Sequence, residues 1–205
     1  MIDAGFLRAD AVATAQEALA AGVRFFQYRD KRGTRRQVHA TAERLALLFK
    51  AENALFLVND HADIAAAVGA DGVHLGQDDL PLGHARTLLG PDRIIGISTH
   101  SVAQAIAAER EGADYIGFGP LFGTATKDAG PVQGLERLRE VRMSVQLPVI
   151  GIGGIDGNRA TAAVQAGADG VAVISAVLGA DDVGAAARTI LLAIGRGEDM
   201  RGKRI

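Results

Sequence analysis

Short, almost continuous apolar runs alternate along this chain with longer Ala-rich stretches whose apolar residues recur every three or four positions. The runs cover 23–28, 54–59, 72–75, 93–98, 114–119, 148–152 and 170–174. They do not alternate polar with apolar, so they predict parallel strands buried on both faces. Helical patterns fall at 10–21, 34–51, 61–69, 81–89, 101–111, 133–145, 157–166 and 182–194. Thr34, Asp60, Ser101, Asn158 and Asp181 stand where helix N-caps belong. Strand followed by helix, repeated, implies a parallel sheet with right-handed crossovers.

A repeat narrows the architecture. Gly-Ala-Asp recurs at 69–71, 112–114 and 167–169, each time just before a strand, and Gly22-Val23-Arg24 holds the equivalent place before the first clear strand. The intervals match two βα units, so four copies make eight strands and favour closure into a (β/α)8 TIM barrel. Such turns end a helix with a left-handed Gly and stabilise the turn with Asp. They fall at the N-terminal face of the barrel, where recurring residues serve stability. Only Met1, Ile2 and Asp3 precede the first loop, so the first strand is expected to be truncated or missing. The expected organisation is one barrel domain over 1–196 and a flexible tail over 197–205.

Composition removes several function classes. A net charge of −2 gives no footing for nucleic acid or an anionic membrane as partner. The absence of cysteine excludes disulfides and thiolate metal sites. The apolar runs are too short to span a bilayer, and no export signal is visible, so the expected setting is cytoplasmic. Homo-oligomerisation is compatible with the sequence.

Polar residues gather behind the strands, at the end where βα loops converge on an active site. Gln27, Arg29 and Lys31 share one side of the second strand and its extension. Adjacent cations there suit a diphosphate. Asp60 and Asp79 follow neighbouring strands and are the metal candidates, because Mg²⁺ takes one or two carboxylates plus substrate phosphate oxygens; Asp78 is the alternative to Asp79. Gly151-Ile152-Gly153-Gly154-Ile155 and Val173-Ile174-Ser175 end strands seven and eight, where this fold places a phosphate site. The loop 119–130 brings Thr124, Thr126 and Lys127, an anion clamp that could close over substrate. His100 suits either acid–base chemistry or the holding of a loop.

These residues resemble a known family. Gln27-Tyr28-Arg29-Asp30-Lys31, Asn59-Asp60-His61-Ala62-Asp63 and Gly72-Val73-His74-Leu75-Gly76-Gln77-Asp78-Asp79 are similar to motifs of thiamine phosphate synthases. So are Gly96-Ile97-Ser98-Thr99-His100, Gly117-Phe118-Gly119-Pro120, Thr124-Ala125-Thr126-Lys127, Ile152-Gly153-Gly154-Ile155 and Val173-Ile174-Ser175. The resemblance spans residues 12 to 180. It implies a barrel enzyme that joins a hydroxymethylpyrimidine diphosphate to a thiazole phosphate with Mg²⁺, releasing pyrophosphate. Gln27 then matches the pyrimidine-binding residue. Arg29, Lys31, Asn59, Ser98 and Lys127 match diphosphate positions, and Asp60 and Asp79 match the metal ligands. Thr124, Thr126, Gly154, Ile174 and Ser175 match the thiazole phosphate site. Tyr28 and Asp30 stand where the family usually has Leu and Glu, Gly123 where it often has Pro, and the first strand is shorter. The rival readings are a thiazole tautomerase, which needs neither metal nor diphosphate site, and a non-catalytic paralogue that only binds phosphorylated ligands.

Overall fold

A computed structural model describes residues 1–124 and 130–202. Eight parallel strands pair in strict sequence order. They are β1 (Ile2–Asp3), β2 (Phe25–Arg29), β3 (Leu55–Asn59), β4 (Gly72–Leu75), β5 (Ile94–Thr99), β6 (Tyr115–Phe118), β7 (Val149–Ile152) and β8 (Gly170–Ala172). The helices are α1 (Ala11–Ala20), α2 (Arg35–Ala51), α3 (Ala62–Val68), α4 (Leu82–Leu89) and α5 (Val102–Glu111), then α6 (Gly134–Ser144), α7 (Gly157–Gln165), α8 (Ser175–Leu178) and α9 (Val183–Gly202). The sheet curls until its ends meet: the Met1 amino group donates to Val173 O at 3.0 Å. The first strand is truncated as expected, with two residues paired in register to Tyr28 and Arg29.

Strand parity divides the side chains. Phe26 and Tyr28 point outward from β2, and Phe26 stacks on Phe49 of α2 at 4.2 Å, which in turn meets Phe56 of β3 at 5.1 Å. Leu138 and Val141 of α6 are also fully buried. The opposite parity (Gln27, Arg29, Asn59, His74, Ser98, Tyr115) faces the barrel interior and lines a cavity of about 1050 Å³. That cavity reaches down to Val183, Ala187 and Ile190 of α9, because a two-residue β1 leaves the wall thin between β2 and β8.

The Gly-Ala-Asp repeat has a common structural task. Asp71, Asp114 and Asp169 accept hydrogen bonds from backbone amides at the start of the preceding strands, Phe56 N at 2.8 Å, Ile95 N at 2.7 Å and Val149 N at 2.9 Å. Arg86 and Arg142 close the last two turns by pairing with Asp114 and Asp169. These groups satisfy strand ends at the N-terminal face, away from the cavity mouth.

Three expectations need correction. The first part of the expected tail is helical: α9 continues to Gly202, and Arg201 donates to Ala168 O at 3.1 Å, while residues 203–205 lie outside the described residues. Gly197 acts as a contact glycine, since a Cβ there would come within 2.7 Å of Val164 on α7. Asp60 and Asn158 do not cap; the N-cap of α3 is His61, which makes no side-chain cap bond, and Asp156 caps α7. For α9, Asp182 rather than Asp181 accepts the amide of Ala185, while Asp181 pairs with Arg8. Thr34 and Ser101 do cap, Thr34 through a reciprocal capping box with Gln37.

Candidate active site

Register builds the floor of the cavity. His74 of β4, Gly96 of β5 and Tyr115 of β6 are successive partners across the sheet. Gly96 carries no side chain, so the Tyr115 ring lies over β5 and reaches His74, with its hydroxyl 2.7 Å from Nδ1. The other ring nitrogen, Nε2, is 2.9 Å from Ser98 Oγ. Burial raises the Tyr115 pKa, a hydrogen bond from Gln27 opposes that only in part, and the phenol stays protonated at neutral pH. Gln27, Tyr115, His74 and Ser98 thus form one buried chain of hydrogen bonds, in which the His74 tautomer sets the direction of the bonds to Tyr115 and Ser98. Gln27 Oε1 is left buried without a partner among the described residues.

Arg29 enters from the next inward position of β2. It forms a buried ion pair with Asp3 of β1, and Asp3 also accepts from Gly5 N at 2.9 Å. Arg29 Nε is the other buried atom without a partner among the described residues. Asp30 folds the loop that follows, accepting from Arg32 N and Gly33 N at 2.9 and 2.8 Å. Tyr28 O–H reaches the same carboxylate at 3.4 Å, so the two residues that depart from the family pattern touch one another.

That loop delivers Lys31 to Asp60, with which it forms an ion pair. Asp60 has φ of 64°, a left-handed conformation that non-glycine residues adopt at a cost, often at functional sites. Its amide donates to His74 O at 2.8 Å, which ties it to β4. Asp79 accepts from Gly76 N at 2.7 Å and shares a hydrogen bond with Asp60. Burial first, then the Asp60 carboxylate, push the Asp79 carboxyl up, against the Gly76 amide. Burial also pushes Asp60 up, but Lys31 and the bond with Asp79 outweigh it and hold Asp60 below the usual range. A carboxylate pair crowded in this way suits a divalent cation, and it fits Mg²⁺ completed by water and phosphate oxygens. Asp78 is exposed and stands outside this cluster. No group of three or more His, Cys, Asp or Glu that could hold a metal occurs among the described residues.

Across the cavity, Gly153 and Gly154 follow β7 with φ of 85° and 65°. A Cβ on Gly153 would lie 2.4 Å from Pro120, and one on Gly154 would lie 2.5 Å from Gly123 O, so no side chain fits at either. Thr124, Ile174 and Ser175 line the same space. Thr126 and Lys127 lie outside the described residues. His100 donates Nδ1–H to Gly119 O at 2.6 Å, the loop-holding alternative of its two expected roles.

The structure thus brings Gln27 and Ser98 into one buried network and gathers Lys31, Asp60 and Asp79 into a second cluster, while Asn59 and Arg29 line the cavity wall. Sequence reading gave no role to His74, Tyr115 or Asp3. A histidine inside the apolar run 72–75 was the available signal for the first; the other two depend on register.

The fold and the cavity define a βα-barrel enzyme with its site at the C-terminal ends of the strands. The family model described as thiamine monophosphate synthase matches residues 2–177. Thiamine-phosphate synthase of Methanospirillum hungatei is 49% identical over 175 residues, 85% of each chain. That of Moorella thermoacetica is 49% identical over 174 residues, 84% of this chain and 83% of its own. Among solved structures, a thiamine phosphate pyrophosphorylase from Pyrococcus furiosus superposes with a TM-score of 0.88 at 40% identity, covering 95% of this chain and 94% of its own. The chain belongs to the thiamine monophosphate synthase family.

Proposed function

We propose that the chain condenses 4-amino-2-methyl-5-hydroxymethylpyrimidine diphosphate with 4-methyl-5-(2-phosphoethyl)thiazole, giving thiamine phosphate and pyrophosphate. The observation that carries this reading is the pair of unpartnered buried atoms on β2, Gln27 Oε1 and Arg29 Nε. An acceptor and a donor at successive inward positions, about 7 Å apart along a strand, suit an aminopyrimidine ring and the diphosphate it carries. Unpaired buried polar atoms cost free energy, so they argue for a ligand that satisfies them.

The chemistry asks for no general base. The aminopyrimidine can support positive charge at its exocyclic carbon as the diphosphate leaves, and the thiazole nitrogen already has a lone pair. The protein's task is to stabilise the leaving group and hold both partners in line. Arg29, Lys31, Asn59, Ser98 and Lys127 serve the diphosphate, with the Ser98 hydroxyl held by its hydrogen bond with His74 Nε2. Gln27, oriented by Tyr115, holds the pyrimidine. Thr124, Thr126, Gly154, Ile174 and Ser175 receive the thiazole phosphate. Asp60 and Asp79 would hold Mg²⁺, which when bound neutralises charge on the diphosphate oxygens. A single barrel domain working in the cytoplasm completes the proposal.

The test is an end-point assay with both substrates and Mg²⁺, reading pyrophosphate release and thiamine phosphate together. Each substrate omitted in turn gives the controls. Absence of product with both present would overturn the reading, and would equally separate it from a tautomerase or a non-catalytic paralogue.

A further inference from the structure

We propose that Arg159 is a positioning residue that fixes the backbone after β7 so that the Gly154 and Ile155 amides face the cavity and receive the thiazole phosphate. The inference rests on the reaction proposed above. Arg159 lies on the first turn of α7, outside every motif singled out in the sequence. Its guanidinium donates to Gly154 O at 2.8 Å and lies 5.1 Å from the centre of the Phe122 ring. Its own amide donates to Asp156 Oδ1 at 3.0 Å, and its Nε stands 3.7 Å from the other oxygen of that carboxylate. One side chain therefore grips the loop after β7 and covers the loop after β6.

Peptide planarity gives this grip its consequence. In a trans peptide the C=O and the following N–H point in opposite directions. Gly153 O is held by Phe122 N at 3.1 Å, which turns the Gly154 N–H away from the β6 loop. Gly154 O is held by Arg159, which turns the Ile155 N–H away from the outer surface. No hydrogen bond occupies either amide among the described residues, and all three residues line the cavity. Consecutive backbone amides presented in this way form an anion-binding concavity. The close approach of Gly154 to the carbonyls of Phe122 and Gly123 leaves no room for a side chain to steady the turn from inside. The brace comes from outside, and an Arg supplies it because one planar fork can donate to a carbonyl and stack on a ring together.

Steady-state kinetics with each substrate varied in turn test the proposal. Arg159→Ala is expected to raise KM for the thiazole phosphate about tenfold, while KM for the pyrimidine diphosphate stays within about twofold. Arg159→Lys, which keeps a cation near Phe122 but loses the fork, should fall between. An unchanged thiazole phosphate KM in Arg159→Ala would overturn the inference, as would equal rises in both KM values, which would mean general loosening. A second measurement does not depend on turnover: inorganic phosphate should shift the Gly154 and Ile155 amide resonances in the wild type and much less in Arg159→Ala. Equal shifts in both proteins, or none in the wild type, would also overturn it. A wild type that makes no thiamine phosphate yet shows these shifts would sink the reaction assignment and leave the role of Arg159 standing.

Discussion

Gly96 and Tyr115 share one space: a Cβ built on Gly96 would lie 2.1 Å from Cζ of the tyrosine ring. They are register partners on adjacent strands, and the bare position lets the ring cross β5 to His74. Gly96→Ala should therefore displace Tyr115 and break the chain from Gln27 to Ser98. We expect kcat/KM to fall about 10²-fold, the scale for misplacing site groups by about 1 Å. Overpacking should also cost about 1–3 kcal/mol of stability. Kinetics and urea unfolding of the same variant check both, and wild-type kinetics would show that the network is dispensable.

Asp60→Ala and Asp79→Ala should each abolish Mg²⁺-dependent turnover while the fold survives, since both residues sit on loops. Asp60→Asn is the control for the backbone, because Asn tolerates the positive φ at this position. Asp78→Ala should stay close to wild type, as its side chain lies outside the cluster. Activity measured across a Mg²⁺ titration distinguishes the three positions. Near-normal turnover in Asp79→Ala would remove it from the proposed ligand pair.

Asp3 and Arg29 form a buried ion pair whose loss on one side is severe. Asp3→Ala leaves the guanidinium uncompensated and should cost about 3–5 kcal/mol. An Asp3→Leu/Arg29→Met double variant should recover much of that stability without recovering activity. Urea midpoints and turnover of both proteins test this. Recovery of activity in the double variant would show that Arg29 is structural only.

Asp114→Ala should behave oppositely, losing stability but not catalysis. It leaves the Ile95 amide and Arg86 without their carboxylate. A loss of about 1–3 kcal/mol is expected for the unsatisfied groups, with KM and kcat unchanged. A large drop in kcat would mean that the N-terminal turns reach the site.

Lys127→Ala should lower kcat about 10²-fold, with a smaller change in KM, if this lysine meets charge that grows on the leaving diphosphate. Lys127 lies outside the described residues, so this expectation rests on its place beside Thr124 and Thr126 in the sequence. Steady-state kinetics decide it; an effect confined to KM would assign Lys127 to uniform binding.

The barrel was legible because buried parallel strands must be apolar on both faces and each is followed by an amphipathic helix. Strand 72–75 was read with its observed limits, and the helix 34–51 was placed to within one residue by the Thr34 cap. The end of α9 was misread, because a charged, Gly-rich stretch from Gly197 looks like a frayed end until α7 is seen packed against Gly197. Loop residues such as Lys31, Asp60 and Asp79 were legible as candidates because cations and carboxylates behind buried strands have few structural reasons to be there.

Sequence by itself determined the order of elements, the side of each strand that carries polar groups, and the end of the barrel where chemistry collects. These follow from local periodicity, and parity on a strand is fixed by its neighbours in the chain. Only the tertiary structure decided which polar groups meet. The row His74–Gly96–Tyr115 is a matter of register between strands, and the pairings Asp3–Arg29 and Lys31–Asp60 join residues 26 and 29 positions apart. Register is set by how eight strands shear and close together, so no local pattern encodes it.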